Sequence, residues 1–299
     1  MDLKKLHPTH VLRYTHSKLR RVYQPILNQR IERRFQAFAV GLQRCGTHSM
    51  HFIFQKNYRS AHEPSIIHTC ELMYDRVHGG MDEKTFERRW LSRDRFLWLE
   101  MESNNIPTII APTLARLFPE AKFVLLLRDP YSWLHSLWAV QHWFTPISQH
   151  PRWYQKMMAY MYGYGRMEYG AGDQNLKQIG LPPLRGYLQH WRRMYDLGLN
   201  ELPADRRLIL YTHQLTNKLP DIAQFLDVPL DTLDQDNTHG DPAKDKRPFI
   251  FQIDRAYLED QVHEICDPVL SQWFPTIKRL EDAVKPMAST ATPPAAAAS

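Results

Sequence analysis

Nine consecutive residues, Gly41-Leu42-Gln43-Arg44-Cys45-Gly46-Thr47-His48-Ser49, put two glycines, an arginine and two hydroxyls within reach of one small ligand. Ahead of a helix, such a loop can cradle an anion. Amides at the helix start point toward it, Arg44 supplies charge, and Thr47 and Ser49 donate hydrogen bonds. Thr47-His48 stands where an ordinary Walker loop has Gly-Lys-Ser or Gly-Lys-Thr, which weighs against ATP hydrolysis. A purely structural strand-to-helix turn is the competing reading. A second stretch, Arg128-Asp129-Pro130-Tyr131-Ser132-Trp133-Leu134-His135-Ser136, carries an arginine and, eight residues on, a serine. The arginine's fork of donors and the serine hydroxyl could hold one phosphate together. Taken alone, Arg128 could equally pair with a carboxylate and Ser136 face water.

The surrounding elements must bring these stretches together. Phe38, Ala39 and Val40 suit a strand buried on both faces, Gly41 and Gly46 permit a tight path, and Met50, Ile53 and Phe54 recur at helical spacing. The apolar run within 121–129 predicts a second covered strand. Pro130 restricts the turn after it, and a helix follows from about Ser132 to Trp138. A helix from about 113, a strand at 207–211 and a helix around 219–226 continue the alternation. The pattern predicts an α/β fold with a central parallel sheet flanked by helices. Its domain runs over 35–285, with an aromatic-rich insertion at 141–190 that could cover a ligand pocket or simply pack. A basic helical extension precedes it at 1–34, and a flexible low-complexity tail follows at 286–299.

Composition sets outer limits. With 299 residues, 43% hydrophobic and 12% aromatic, the chain has ample surface to bury, which excludes overall disorder. Lys plus Arg number 38 against 32 Asp plus Glu, and a net charge of +6 is too dilute to name nucleic acid as a partner. Cys45, Cys70 and Cys266 form neither a disulfide framework nor a metal spacing, so a reducing, cytoplasmic setting and no metal are expected. The first residues lack the apolar segment of a secretory signal, and no apolar stretch is long enough to span a bilayer. Lys18, Arg20, Arg21, Arg30, Arg33 and Arg34 lie among Leu, Val and Ile, a pattern open to peripheral membrane contact or to packing over the domain.

Together, the Gly41–Ser49 and Arg128–Ser136 stretches resemble the sulfotransferase family that uses 3'-phosphoadenosine 5'-phosphosulfate, whose fold is P-loop-like. The resemblance implies that the first loop, through Arg44, Cys45, Gly46, Thr47, His48 and Ser49, binds the 5'-phosphosulfate, while Arg128 and Ser136 bind the 3'-phosphate. It implies sulfuryl transfer to a hydroxyl, less readily an amine, of a carbohydrate or small-molecule acceptor, leaving adenosine 3',5'-bisphosphate. Arg44 stands where relatives commonly have Lys; it keeps the charge for the departing phosphate but not the geometry. Relatives place a catalytic Glu or His after the first helix, which here points to Ser60-Ala61-His62-Glu63-Pro64. Glu63 ranks slightly ahead, although His62 has the reference pKa nearer neutrality; His48 and His68 are further candidates. A late basic loop that closes over the nucleotide in relatives corresponds to Lys244, Lys246 and Arg247, which also read as a solvated charge cluster. Glu100 and Glu102 could orient an acceptor or lie on the surface. The competing functions are a nucleotide-dependent kinase and a non-enzymatic anion-binding module at a membrane surface. Oligomeric state is not encoded in any of these features.

Overall fold

An apolar segment with no polar face can only be covered on both sides, and two such segments form the centre of this chain. A computed structural model describes residues 24–28, 30–141, 146–236 and 249–284. The basic residues Lys18, Arg20 and Arg21, the Lys244, Lys246 and Arg247 cluster and the 286–299 tail lie outside the described residues. The strands are β1 (Ala37–Gly41), β2 (Ser60–His62), β3 (Met101–Ser103), β4 (Lys122–Leu127) and β5 (Arg207–Tyr211). They form one five-stranded sheet in the order β2-β3-β1-β4-β5, with every pairing parallel. All of β1 is buried, and in β4 only Lys122 is not.

Among the described residues, nine α-helices of seven residues or more accompany the sheet: α1 (Thr47–Gln55), α2 (Ile66–Val77), α3 (Glu83–Leu97), α4 (Ala111–Leu117), α5 (Pro130–Gln141), α6 (Arg152–Tyr162), α7 (Leu184–Asn200), α8 (Leu219–Leu226) and α9 (Arg255–Trp273). Met50, Ile53 and Phe54 of α1 are fully buried at the spacing of one helical face. Helix α7 carries the longest such stripe, including Tyr187, Trp191, Met194 and Tyr195. Its Gly198 lies so close to the sheet that a β-carbon there would stand 2.6 Å from Leu125 Cδ1. The aromatic residues of the 146–190 region serve this packing, with the rings of Tyr162 and Tyr187 both buried and 4.6 Å apart. Helix α6 lies against both α2 and α7. Among the described residues, no helix is long and apolar enough to cross a membrane.

The strand order places the two motifs beside each other. From β1 the chain leaves toward β2 and β3; from β4 it leaves toward β5 on the opposite side. Outgoing connections that part in this way open a crevice at the C-terminal ends of the adjacent strands, where open α/β sheets bind ligands. The Gly41–Ser49 loop follows β1 and the Arg128–Ser136 segment follows β4.

Strands β2 and β3 have only three residues each, and the carboxylates in and just before β3 correct an expectation. Glu100 and Glu102 are neither surface groups nor turned to a ligand, because both are buried in ion pairs. Glu100 accepts bonds from Arg34 Nε at 2.7 Å, Arg34 Nη2 at 2.9 Å and the Arg59 amide at 2.9 Å. Burial alone would raise its pKa; the hydrogen bonds from Arg34 and Arg59 outweigh that and hold the carboxyl below its ordinary value. Glu102 accepts a bidentate pair from Arg93, both bonds 2.7 Å. Arg93 also donates to Thr69 Oγ1 at 3.1 Å and Pro64 O at 3.0 Å, so it fastens β3 to the corner at the start of α2. The substitution Glu102→Gln leaves a buried guanidinium without its counter-charge and is expected to lower unfolding free energy by about 3–5 kcal/mol in guanidinium titration. A change below about 1 kcal/mol would mean that this pair does not hold the corner.

Candidate active site

The first loop is shaped by three residues with left-handed backbone. Gly41 has φ 140°, and a β-carbon there would meet Leu126 O at 2.6 Å, so only glycine fits beside β4. Thr108 Oγ1 accepts from the Gly41 amide at 2.9 Å and donates to its carbonyl at 3.2 Å. Arg44 and Gly46 follow with φ 65° and 95°, and α1 starts at Thr47 with no side chain capping it. A helix start carries outward amides and the positive end of the helix dipole, which favour an anion. Cys45 points the other way. Its thiol is buried 3.4 Å from Tyr195 OH, burial pushes its pKa up to about 11, and its carbonyl accepts from Thr212 Oγ1 at 2.8 Å. The thiol is therefore an anchor for the loop rather than a thiolate.

The second segment meets the first directly. Arg128 Nη1 donates to Arg44 O at 2.6 Å, and Arg44 Nε donates to Ser136 Oγ at 3.3 Å. Arg128 Nε donates to Ser132 Oγ at 3.2 Å, and the Asp129 carboxylate accepts from the Ser132 amide at 2.8 Å and from the Ser132 hydroxyl. Burial draws the Arg128 guanidinium pKa below its usual value, with the charge on Arg44 acting in the same direction and Cys45 and Asp129 opposing it. The Arg128 backbone is clasped by α7: its amide donates to Tyr195 OH at 2.7 Å, and its carbonyl accepts from Tyr195 OH at 3.2 Å and Trp191 Nε1 at 3.0 Å. Beyond Arg128 opens a cleft of ≈ 720 Å³ whose walls include Ser132, Tyr211, His213, Trp273 and Phe274.

Sequence reasoning missed Ser132, Trp191 and Tyr195. Asp129-Pro130 three residues before a helix-start amide was a readable signal for Ser132, since aspartate before a first-turn proline caps a helix. Trp191 and Tyr195 gave no signal beyond an apolar helical stripe.

The proton-accepting candidates lie one ring away from the loop. The His48 ring, in the first turn of α1, stacks on His62 with centroids 4.7 Å apart. His62 ends β2, and its Nε2 lies 4.0 Å from Glu63 Oε1. Burial, then the His48 ring, lowers the His62 pKa to about 4, which leaves that imidazole neutral near pH 7. Burial raises the Glu63 carboxyl above its ordinary value. Glu63 has φ 46° although a proline follows it, and Ser65 has φ 55°. Such backbone costs about 1–3 kcal/mol per residue and persists where surrounding contacts impose it. Here those contacts are the Glu63 amide bonded to Ser103 O at 2.9 Å and the Arg93 bond to Pro64 O. His68 is exposed at the start of α2. Among the described residues, no three His, Cys, Asp or Glu side chains are grouped to hold a metal ion.

The model of the sulfotransferase domain family matches residues 36–232 of this chain. Among similar solved structures, a sulfotransferase from Alicyclobacillus acidocaldarius is 15% identical with a TM-score of 0.43, covering 80% of this chain and 96% of that one. Sulfotransferase STF9 from Mycobacterium avium is 12% identical with a TM-score of 0.42, covering 85% of this chain and 80% of its own. The sulfotransferase domain of the Synechococcus PCC 7002 olefin synthase is 13% identical with a TM-score of 0.39, covering 81% and 87%. No curated protein sequence matches at a significant level.

The Tyr195 hydroxyl ties both loops to α7, which gives a direct test of the geometry. Tyr195→Phe strips the Arg128 backbone of a partner and is expected to lower unfolding free energy by about 1–3 kcal/mol. An unchanged denaturation midpoint would show that the two loops do not depend on this hydroxyl.

Proposed function

Because the chain belongs to the sulfotransferase domain family, we propose that it transfers a sulfuryl group from 3'-phosphoadenosine 5'-phosphosulfate to a hydroxyl of a carbohydrate or small-molecule acceptor, releasing adenosine 3',5'-bisphosphate. The observation that carries this reading is the meeting of Arg44, Arg128 and Ser136 where the β1 and β4 connections part. In this reading Arg128 and Ser136, with Ser132 beside them, hold the 3'-phosphate. The start of α1, with Arg44, Thr47 and Ser49, holds the 5'-phosphosulfate, and the cleft beyond Arg128 takes the nucleoside. Lys244, Lys246 and Arg247 are assigned to closure over the nucleotide, as in the family's late basic loop.

In the transfer step the acceptor oxygen forms a bond to sulfur while the bond from sulfur to the 5'-phosphate oxygen breaks. The acceptor proton passes to the enzyme's base, and negative charge grows on the departing phosphate. Arg44 and the α1 amides face that growing charge, the arrangement that stabilises such a transition state. Glu63 is the base: burial moves its carboxyl toward neutrality, while the same effect drives His62 to about 4 and weakens it as a base. Neutral His62, stacked on His48, positions Glu63.

Calorimetry with adenosine 3',5'-bisphosphate and ADP tests the donor. Strong preference for the bisphosphate, lost in Arg128→Ala, is expected; equal binding of ADP would overturn the reading. The pH profile of kcat/KM tests the base. A base must be deprotonated, so activity is expected to fall as pH drops through the raised pKa of Glu63, giving an acid limb above the ordinary carboxylate range. Glu63→Gln is expected to cut kcat by about 10²–10⁴ with nucleotide binding retained. An acid limb near 4 that survives in Glu63→Gln would assign the base to His62 instead.

A further inference from the structure

A second cleft, of ≈ 280 Å³, lies between α2 and α6 and is lined by Glu71, Tyr74 and Asp75 from one helix and Arg152, Trp153 and Lys156 from the other. We propose that this cleft binds the part of the acceptor remote from the reacting hydroxyl, and that its occupant is a saccharide unit, so that the acceptor is an oligosaccharide or glycoside rather than a simple phenol, fatty alcohol or peptide. The proposal rests on the sulfuryl-transfer reading for its name of acceptor.

The side chains are laid out in matching pairs. Glu71 and Asp75 stand four residues apart on α2, Arg152 and Lys156 four apart on α6, so each pair shares one helical face. Among the described residues none of the four charged groups makes an ion pair. Between them lie two aromatic rings, Tyr74 and Trp153, which pack one part on the core and leave the rest in the cleft. Lys156 Nζ sits 4.5 Å over the Tyr74 ring. Small-molecule sites are mostly apolar with a few polar groups; this one adds four charged side chains to its two rings. An apolar phenol or acyl chain seated here would strip water from four charges and replace none of its hydrogen bonds, which is costly. The Tyr74 ring is taken up by the stacked His78 ring, 3.9 Å between centroids, and by Lys156, so a sugar ring would lay its C–H face on the Trp153 indole and offer hydroxyls both to carboxylates, as donors, and to guanidinium and ammonium, as acceptors. An extended peptide has no sheet edge here to pair with, since both walls are helices.

The position fits an acceptor longer than one ring. The Glu63-Pro64-Ser65 corner runs directly into α2, with the Thr69 amide bonded to Ser65 O at 2.9 Å. At the helical rise of about 1.5 Å per residue, Cys70 at the near end of the cleft lies about 8 Å along the axis from Ser65, and Asp75 about 15 Å. The charge on Glu63 reaches Cys70: burial, then Glu63 and Glu71, push that thiol up to about 12. Along α2 the cleft therefore spans about 8 to about 15 Å from the corner that carries Glu63, so an acceptor that reaches both must be longer than one ring.

Saturation-transfer NMR on the full chain without nucleotide, using lactose, cellobiose, their methyl monoglycosides, 4-nitrophenol, octanol and a tyrosine-containing peptide, tests the assignment. Disaccharide binding is expected to exceed that of every other probe. Trp153→Ala is expected to weaken it about tenfold, equivalent to about 1.4 kcal/mol, and Trp153→Phe to restore part of it. The exposed double substitution Glu71→Gln/Asp75→Asn should weaken it too, without touching the core, and adenosine 3',5'-bisphosphate affinity should stay within about twofold in all variants. Preferred binding of phenol, octanol or peptide, absence of disaccharide binding, or disaccharide binding that is indifferent to all these variants would overturn the proposal. Because the readout needs no donor, saccharide binding with no bisphosphate binding would sink the sulfuryl-transfer reading and leave the cleft assignment standing.

Discussion

Two guanidinium groups of like charge, those of Arg44 and Arg128, are held at one corner of a parallel sheet, and most of the architecture around them is what makes that arrangement stable. Arg128 donates to the Arg44 carbonyl, and Arg44 turns its Nε toward Ser136. Asp129 lends nearby negative charge while it caps the first turn of α5 through Ser132. From below, Trp191 and Tyr195 clasp the Arg128 backbone. Repulsion that would scatter two free cations becomes, in a fixed frame, attraction for a polyanion placed between them.

The same logic separates the structural carboxylates from the proposed base. Glu100 and Glu102 are fully engaged with arginines, so they hold strands and have no free oxygen to offer a substrate. Glu63 is partly exposed, has no guanidinium on it, and sits on a strained corner that Arg93 and the Ser103 carbonyl keep in place. Arg93 joins the two classes, because the buried pair it makes with Glu102 also positions the corner that carries Glu63. Rigidity next to the site is therefore supplied by charges that do no chemistry.

The large features of the fold were readable because they rest on apolar pattern. The runs 37–40 and 123–127 are uninterrupted by polar residues, and the 207–211 strand and 219–226 helix have the lengths the pattern suggests. Strands β2 and β3 were not readable. Ser60-Ala61-His62 and Met101-Glu102-Ser103 carry polar side chains whose partners, His51, His48, Arg93 and Thr47, lie on other elements, and three residues show no period. For that reason Glu100 and Glu102 looked like surface or ligand-facing groups, when their partners Arg34, Arg59 and Arg93 are brought to them by the sheet. At the site, the Arg44 and Arg128 stretches were marked by residue type and spacing, and the fold brings them together. Tyr195 was hidden, since a tyrosine on an apolar stripe looks the same whether or not its hydroxyl clasps a loop.

The central claim is that this corner reads a nucleotide with phosphates at both the 3' and 5' positions. A crystal structure of the full chain grown with adenosine 3',5'-bisphosphate tests it most directly. The account predicts the 3'-phosphate within hydrogen-bonding distance of Arg128 and Ser136, and the 5'-phosphate on the amides that open α1. A nucleotide bound in the reverse sense, or at a place that touches neither arginine, would contradict it.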